Sequence, residues 1–129
     1  MDRILVIEDD RALLRSMKVV LEREGYEVNT AEDGVIGLEL FDAEPFNLII
    51  TDLLMPNKDG IKTISHIRKT DKNIPIIAIS GAGQTGALNN LSVALLVGAT
   101  QTLAKPFEKS ALLGTINECL QKKPQRAVV

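Results

Sequence analysis

Five residues in this chain have the types and positions to do chemistry together: Glu8, Asp9, Asp52, Ser80 and Lys105. Each follows a short run of strand-forming residues. Carboxylates held close together repel, and such a group is costly unless a cation sits among them. Hard oxygen ligands with no histidine or thiolate nearby select Mg2+ over zinc. Mg2+ keeps several of its waters, which leaves room for a phosphate oxygen. Lys105 adds a second positive charge and Ser80 a hydroxyl donor, and both suit the equatorial oxygens of a phosphoryl group in transfer. Asp52 can itself act as nucleophile, forming an acyl phosphate. Taken singly, each residue has an ordinary role: Asp9 as a solvated charge, Ser80 as a turn residue, Lys105 as a surface lysine. Their shared position after strands is what argues for a site.

The elements that would place them follow from the pattern of the chain. Ile4 to Ile7 is a short apolar run and reads as a buried strand. Asp10 then caps a helix carrying Leu13, Leu14, Met17, Val20 and Leu21 on one face, and Gly25 stops it. Tyr26 to Ala31 alternates as an edge strand does. Asp33-Gly34 reads as a turn before a helix over Val35 to Ala43, which Pro45 ends. Phe46 to Thr51 is a second buried strand and delivers Asp52 at its end. Gly60 precedes a helix with Ile61, Ile64 and Ile67 on one stripe. Ile74 to Ile79 is a strand ending at Ser80, and Gly86 to Val97 a helix closed by Gly98. Thr100 to Ala104 is a polar strand suited to an edge, followed by Lys105. Leu112, Leu113, Ile116 and Leu120 mark the last helix. Strands alternating with helices imply a parallel sheet with helices on both faces, an α/β fold. Ligands of such sheets bind at the carboxyl ends of the strands, where the five residues fall.

Size and composition narrow the function classes. The chain has 129 residues, 45% of them hydrophobic and 25% charged, with a formal net charge of −2. That fits one domain with a real core and gives no basic footprint for nucleic acid. The single cysteine, Cys119, rules out an internal disulfide, so a reducing, cytoplasmic setting is expected. The apolar run near Met1 is too short for a signal peptide's core or a membrane span. His66 lies beside an apolar stripe with no histidine or cysteine partner and reads as a surface residue. The expected domain is 1–122, with 123–129 as a short basic tail.

The same residues carry a resemblance. Glu8-Asp9, Asp52 followed by Met55-Pro56 and Asp59-Gly60, Ser80, and Lys105-Pro106-Phe107 together resemble the receiver domain of response regulators, the phospho-acceptor half of two-component signalling. The resemblance covers Ile4 to about Leu120. It implies a five-stranded parallel sheet in the flavodoxin-like order 2-1-3-4-5. It also implies a regulatory module, not an enzyme. Asp52 would be the phosphorylated residue. Mg2+ would be held by Asp9, Asp52 and the backbone carbonyl of Leu54, with Glu8 acting through water. Ser80 and Lys105 would bind the phosphoryl group, and the Lys105–Pro106 peptide would be cis. The implied partner is a sensor histidine kinase or phosphotransfer protein, with neither nucleic acid nor membrane bound by this domain.

In one respect the chain departs from the family pattern. Receivers usually carry Tyr or Phe three residues before the lysine, and here that position is Thr102. Leu54 and Ala82 flank the approach to the phosphoryl group and offer no hydrogen bond to an attacking water, so slow self-dephosphorylation is expected. Two other classes fit less well. A phosphatase with an aspartyl-phosphate intermediate typically has an Asp-x-Asp motif after the first strand, which Glu8-Asp9-Asp10-Arg11 lacks. A flavin-binding protein of this architecture needs a Ser/Thr/Gly-rich loop where this one is acidic. The fourth helix carries Leu88, Leu91, Val93, Leu95, Leu96 and Val97 without a charged residue, more apolar surface than one helix on a sheet can bury. Its face with the fifth strand and fifth helix is the expected contact for a homodimer or protein target.

Overall fold

The sheet is built on strands that are buried on both sides. The structure, a computed structural model, describes residues 1–53, 60–81 and 87–128, without the side chains of 87–91 and 122–128. The elements alternate throughout: β1 Arg3–Ile7, α1 Arg11–Arg23, β2 Glu27–Ala31, α2 Gly34–Ala43, β3 Leu48–Asp52, α3 Gly60–Thr70, β4 Ile76–Gly81, α4 Ala87–Val97, β5 Gln101–Lys105 and α5 Lys109–Val128. All paired strands are parallel, in the order β2-β1-β3-β4-β5. The expected order therefore holds. β1, β3 and β4 are central and read as near-continuous apolar runs because helices cover both of their faces. β2 and β5 are the edges: β2 buries only Val28 and Ala31, and no residue of β5 is fully buried.

Successive side chains of a strand point to opposite faces, so each central strand feeds two cores. Ile4, Val6, Ile50 and Ile79 pack with Leu14, Met17 and Leu21 of α1 and with Leu112, Ile116 and Cys119 of α5. Leu5, Ile7, Ile49 and Ala78 pack with Leu38 of α2, Ile64 and Ile67 of α3, and Ala94 of α4.

Helix ends follow local chemistry. The Asp10 carboxylate accepts from the Leu13 amide at 3.1 Å, the expected cap of α1. Asp33 does the same for α2, accepting from Ile36 N at 2.8 Å. Asp33-Gly34 is therefore not a free turn but the cap and first residue of α2. β4 runs to Gly81, so Ser80, expected to end the strand, is its penultimate residue. α5 continues through the segment expected as a tail, to Val128.

Candidate functional site

Register brings the chemical groups to one edge. Ile7 pairs with Thr51, so Glu8 and Asp52 come one step later on adjacent strands. Asp52 pairs with Ile79, and Gly81 with Lys105. The site therefore gathers at the carboxyl ends of β1, β3, β4 and β5. Glu8 is fully buried and Asp52 nearly so, while Asp9 is exposed. One carboxylate oxygen from each of the three lies within 4.8 Å of the others.

Lys105 closes the group. Its Nζ lies 2.8 Å from Glu8 Oε1 and 3.3 Å from Asp52 Oδ2. The other Glu8 oxygen accepts from the Asp10 amide at 3.0 Å. Burial raises the Glu8 carboxyl to about 7, and the Asp52 charge adds to the rise, while Lys105 and the Asp10 amide oppose it. Burial pulls the Lys105 ammonium down, but its hydrogen bond to Glu8 and the charges of Asp52 and Glu8 prevail, so it ends above its usual value. The Ser80 hydroxyl is buried and has no hydrogen-bond partner among the described residues. A buried hydroxyl in that condition is costly unless something else comes to it.

Glu8, Asp9, Asp52, Ser80 and Lys105, chosen from the sequence, thus share one strand edge. The Lys105–Pro106 peptide is cis. Thr102 is partly buried on β5. Leu54, with its carbonyl, and Ala82 lie outside the described residues, as do Met55-Pro56 and Asp59. What the sequence did not disclose is that Lys105 sits closer to Glu8 than to Asp52. No local spacing encodes that contact, because it spans the sheet from β1 to β5. Beside the site is a cavity of about 410 Å³ lined by Asp10, Leu13, Gly81, Lys105, Pro106 and Phe107.

The family profile of the response regulator receiver domain matches residues 4–117. The chain belongs to this family. As a receiver domain it is part of two-component signalling. It is 33% identical over 129 residues to the response regulator ArlR of Staphylococcus saprophyticus, covering all of this chain and 57% of ArlR. It is 35% identical over 122 residues to the transcriptional regulatory protein CpxR of Escherichia coli, covering 95% of this chain and 50% of CpxR. The receiver thus spans about half the length of these relatives. Among solved structures, the CheY-like receiver domain protein of Methanospirillum hungatei matches at TM-score 0.90 and 32% identity, covering 98% of both chains. TrrA of Thermotoga maritima, solved in complex with Mg2+-BeF, matches at 0.82 and 30%, covering 93% of this receiver and all of TrrA. No helix among the described residues is long and apolar enough to cross a membrane.

Proposed function

We propose that this receiver takes a phosphoryl group onto Asp52 in a Mg2+-dependent reaction, from a sensor histidine kinase or a phosphotransfer protein. The observation that carries the reading is the convergence of Glu8, Asp9 and Asp52 within 4.8 Å, bridged on one side by Lys105. The donor set fits Mg2+: carboxylate oxygens only, with neither histidine nor thiolate among them. Asp9, Asp52 and the Leu54 carbonyl would hold the ion directly and Glu8 through water. Lys105 and the Asp10 amide already engage the two Glu8 oxygens, while Asp9 is the more open carboxylate. When bound, the ion supplies positive charge against which an anionic phosphoryl group can approach a carboxylate.

The chain's own groups divide the remaining work. An Asp52 carboxylate oxygen attacks phosphorus. The new O–P bond forms as the donor's N–P bond breaks, and the donor imidazole leaves with the electron pair. Ser80 Oγ, unpartnered among the described residues, donates to a phosphoryl oxygen. Lys105 Nζ turns from Asp52 toward the phosphoryl charge and stays held by Glu8. Output passes through the face of α4, β5 and α5 to a second copy or a protein target. What supports this is the exposure of Val93, Leu95 and Leu96 on α4, Leu96 at 85%; apolar side chains grouped in the open mark interaction surfaces.

The test is incubation with acetyl phosphate, with and without Mg2+, followed by intact-mass measurement. The unaltered chain should gain one phosphoryl group only with Mg2+, and Asp52→Asn should gain none. Equal labelling of both proteins removes Asp52 from the role.

A further inference from the structure

Helix α3 touches the acceptor at one end and the apolar helix α4 at the other. At its start, Gly60 N donates to Leu53 O at 3.0 Å. The helix comes so near that a Cβ on Gly60 would stand 2.3 Å from the Asp52 carbonyl oxygen and 2.6 Å from Leu53 Cα. Only glycine permits that approach, and the contact is with backbone, which cannot swing aside. Along its length, Ile64 and Ile67 are fully buried in the core that also holds Ala94 of α4.

At its end stands Arg68. Its Nε donates to Gly98 O at 2.8 Å, its Nη1 to Asp71 O at 3.1 Å, and its Nη2 reaches Thr100 Oγ1 at 3.4 Å. Thr100 Oγ1 also accepts from Ile76 N at 3.0 Å, at the start of β4. Gly98 ends α4 with φ +127°, and a Cβ there would lie 2.6 Å from Arg68 Cγ. The planar fork of an arginine holds several acceptors in one fixed geometry, whereas a lysine presents a single point charge on a flexible stem. The carbonyl it grips belongs to the residue that closes α4, two positions after the exposed Leu96.

We propose that α3 is a mechanical link between Asp52 and the apolar face of α4, and that Arg68 is the contact through which it acts on α4. The inference rests on Asp52 as phospho-acceptor. A change in the Asp52 backbone meets Gly60 with no slack, α3 carries it along a packed core, and Arg68 delivers it to Gly98. This path uses neither Ser80 nor an aromatic at position 102, where the chain has threonine. Packed contact alone does not establish coupling; a coupling free energy between the two ends does.

The experiment compares the unaltered chain with Arg68→Ala, Arg68→Lys and Arg3→Ala. Arg3 is the control: it ties β1 to Glu27 and Glu44, and none of its hydrogen bonds or ion pairs among the described residues reaches α3 or α4. For each protein, labelling of Asp52 by acetyl phosphate with Mg2+ is measured first. Hydrogen exchange at the Gly98 and Ala99 amides is then measured with and without label, alongside thermal stability. The unaltered chain should change its exchange by about fivefold or more on labelling, the low end of ordinary coupling. Arg68→Ala should label normally yet change by less than about twofold, Arg68→Lys should fall between, and Arg3→Ala should respond as the unaltered chain does. A full response in Arg68→Ala overturns the link, and so does an equal loss in Arg3→Ala. Failure of the unaltered chain to label at all refutes the acceptor assignment first, and the link falls with it.

Discussion

The carboxylate-bearing edge of the sheet and the outer face of α4 invert the usual rule of burial in opposite ways. At the edge, Glu8 and Asp52 are buried carboxyl groups, and Ser80 is a buried hydroxyl. On α4, Leu95 and Leu96 are exposed apolar side chains. Both arrangements cost stability in an isolated domain: the first through desolvation of charge, the second through lost burial. The difference lies in what relieves each. Buried carboxylates are relieved by cations, of which Lys105 is one, and exposed leucines by another apolar surface. Each region is thus unfinished in a way that names the chemistry of what completes it.

The sharpest way to break that contrast is at the metal. Asp9→Ala should weaken Mg2+ binding more than Glu8→Ala does. Loss of an outer-shell partner typically costs about 10- to 100-fold in affinity, and loss of a direct ligand more. Metal titration of both variants decides the matter, and a larger loss for Glu8→Ala would reverse their roles.

A smaller effect should appear with pH in metal-free protein. The folded Glu8 carboxyl sits at about 7 against an ordinary value of 4.5. Between those values the folded chain retains a proton that the unfolded chain has released. The Glu8 contribution to stability is therefore present at the acid end and is lost as pH rises through that window. Thermal melts in a chelator should show this fall in the unaltered chain and lose it in Glu8→Gln. Mg2+ should reverse the trend, because its binding favours the ionised carboxylate, so affinity rises over the same range. Identical pH slopes for the two proteins would remove Glu8 as the titrating group.

The smallest effect should come from Asp10, which adjoins the acidic pair yet caps α1. Asp10→Ala should cost about 1 kcal/mol of stability. It should leave Mg2+ affinity nearly as it was, since the Asp10 amide that holds Glu8 is backbone and survives the change. A loss of affinity as large as that of Asp9→Ala would extend the metal site to Asp10.

The contrast also explains what could be read in advance. The central strands were legible because burial on both faces forces runs such as Leu48-Ile49-Ile50. Glu8, Asp9, Asp52, Ser80 and Lys105 stood out because each breaks or follows such a run. Asp33 was harder, because the same residue serves a turn and a helix cap, and only the Ile36 amide settles which. The Lys105–Glu8 pair and the Arg68–Gly98 clamp were not legible at all. Each joins segments far apart in the chain, and each depends on which strands and helices become neighbours. The apolar excess of α4 was plain from its composition, but which leucines face outward is set by its packing on α3 and the sheet.

Site-resolved trapping of the acyl phosphate tests directly whether Asp52 is the residue that takes the phosphoryl group. After reaction with acetyl phosphate and Mg2+, borohydride reduces an aspartyl phosphate to the corresponding alcohol, and peptide mass spectrometry locates the altered residue. A single reduced position, Asp52, dependent on Mg2+, is expected. Reduction at Glu8 or Asp9 instead, or a phosphate that resists borohydride and maps to Ser80, would contradict it.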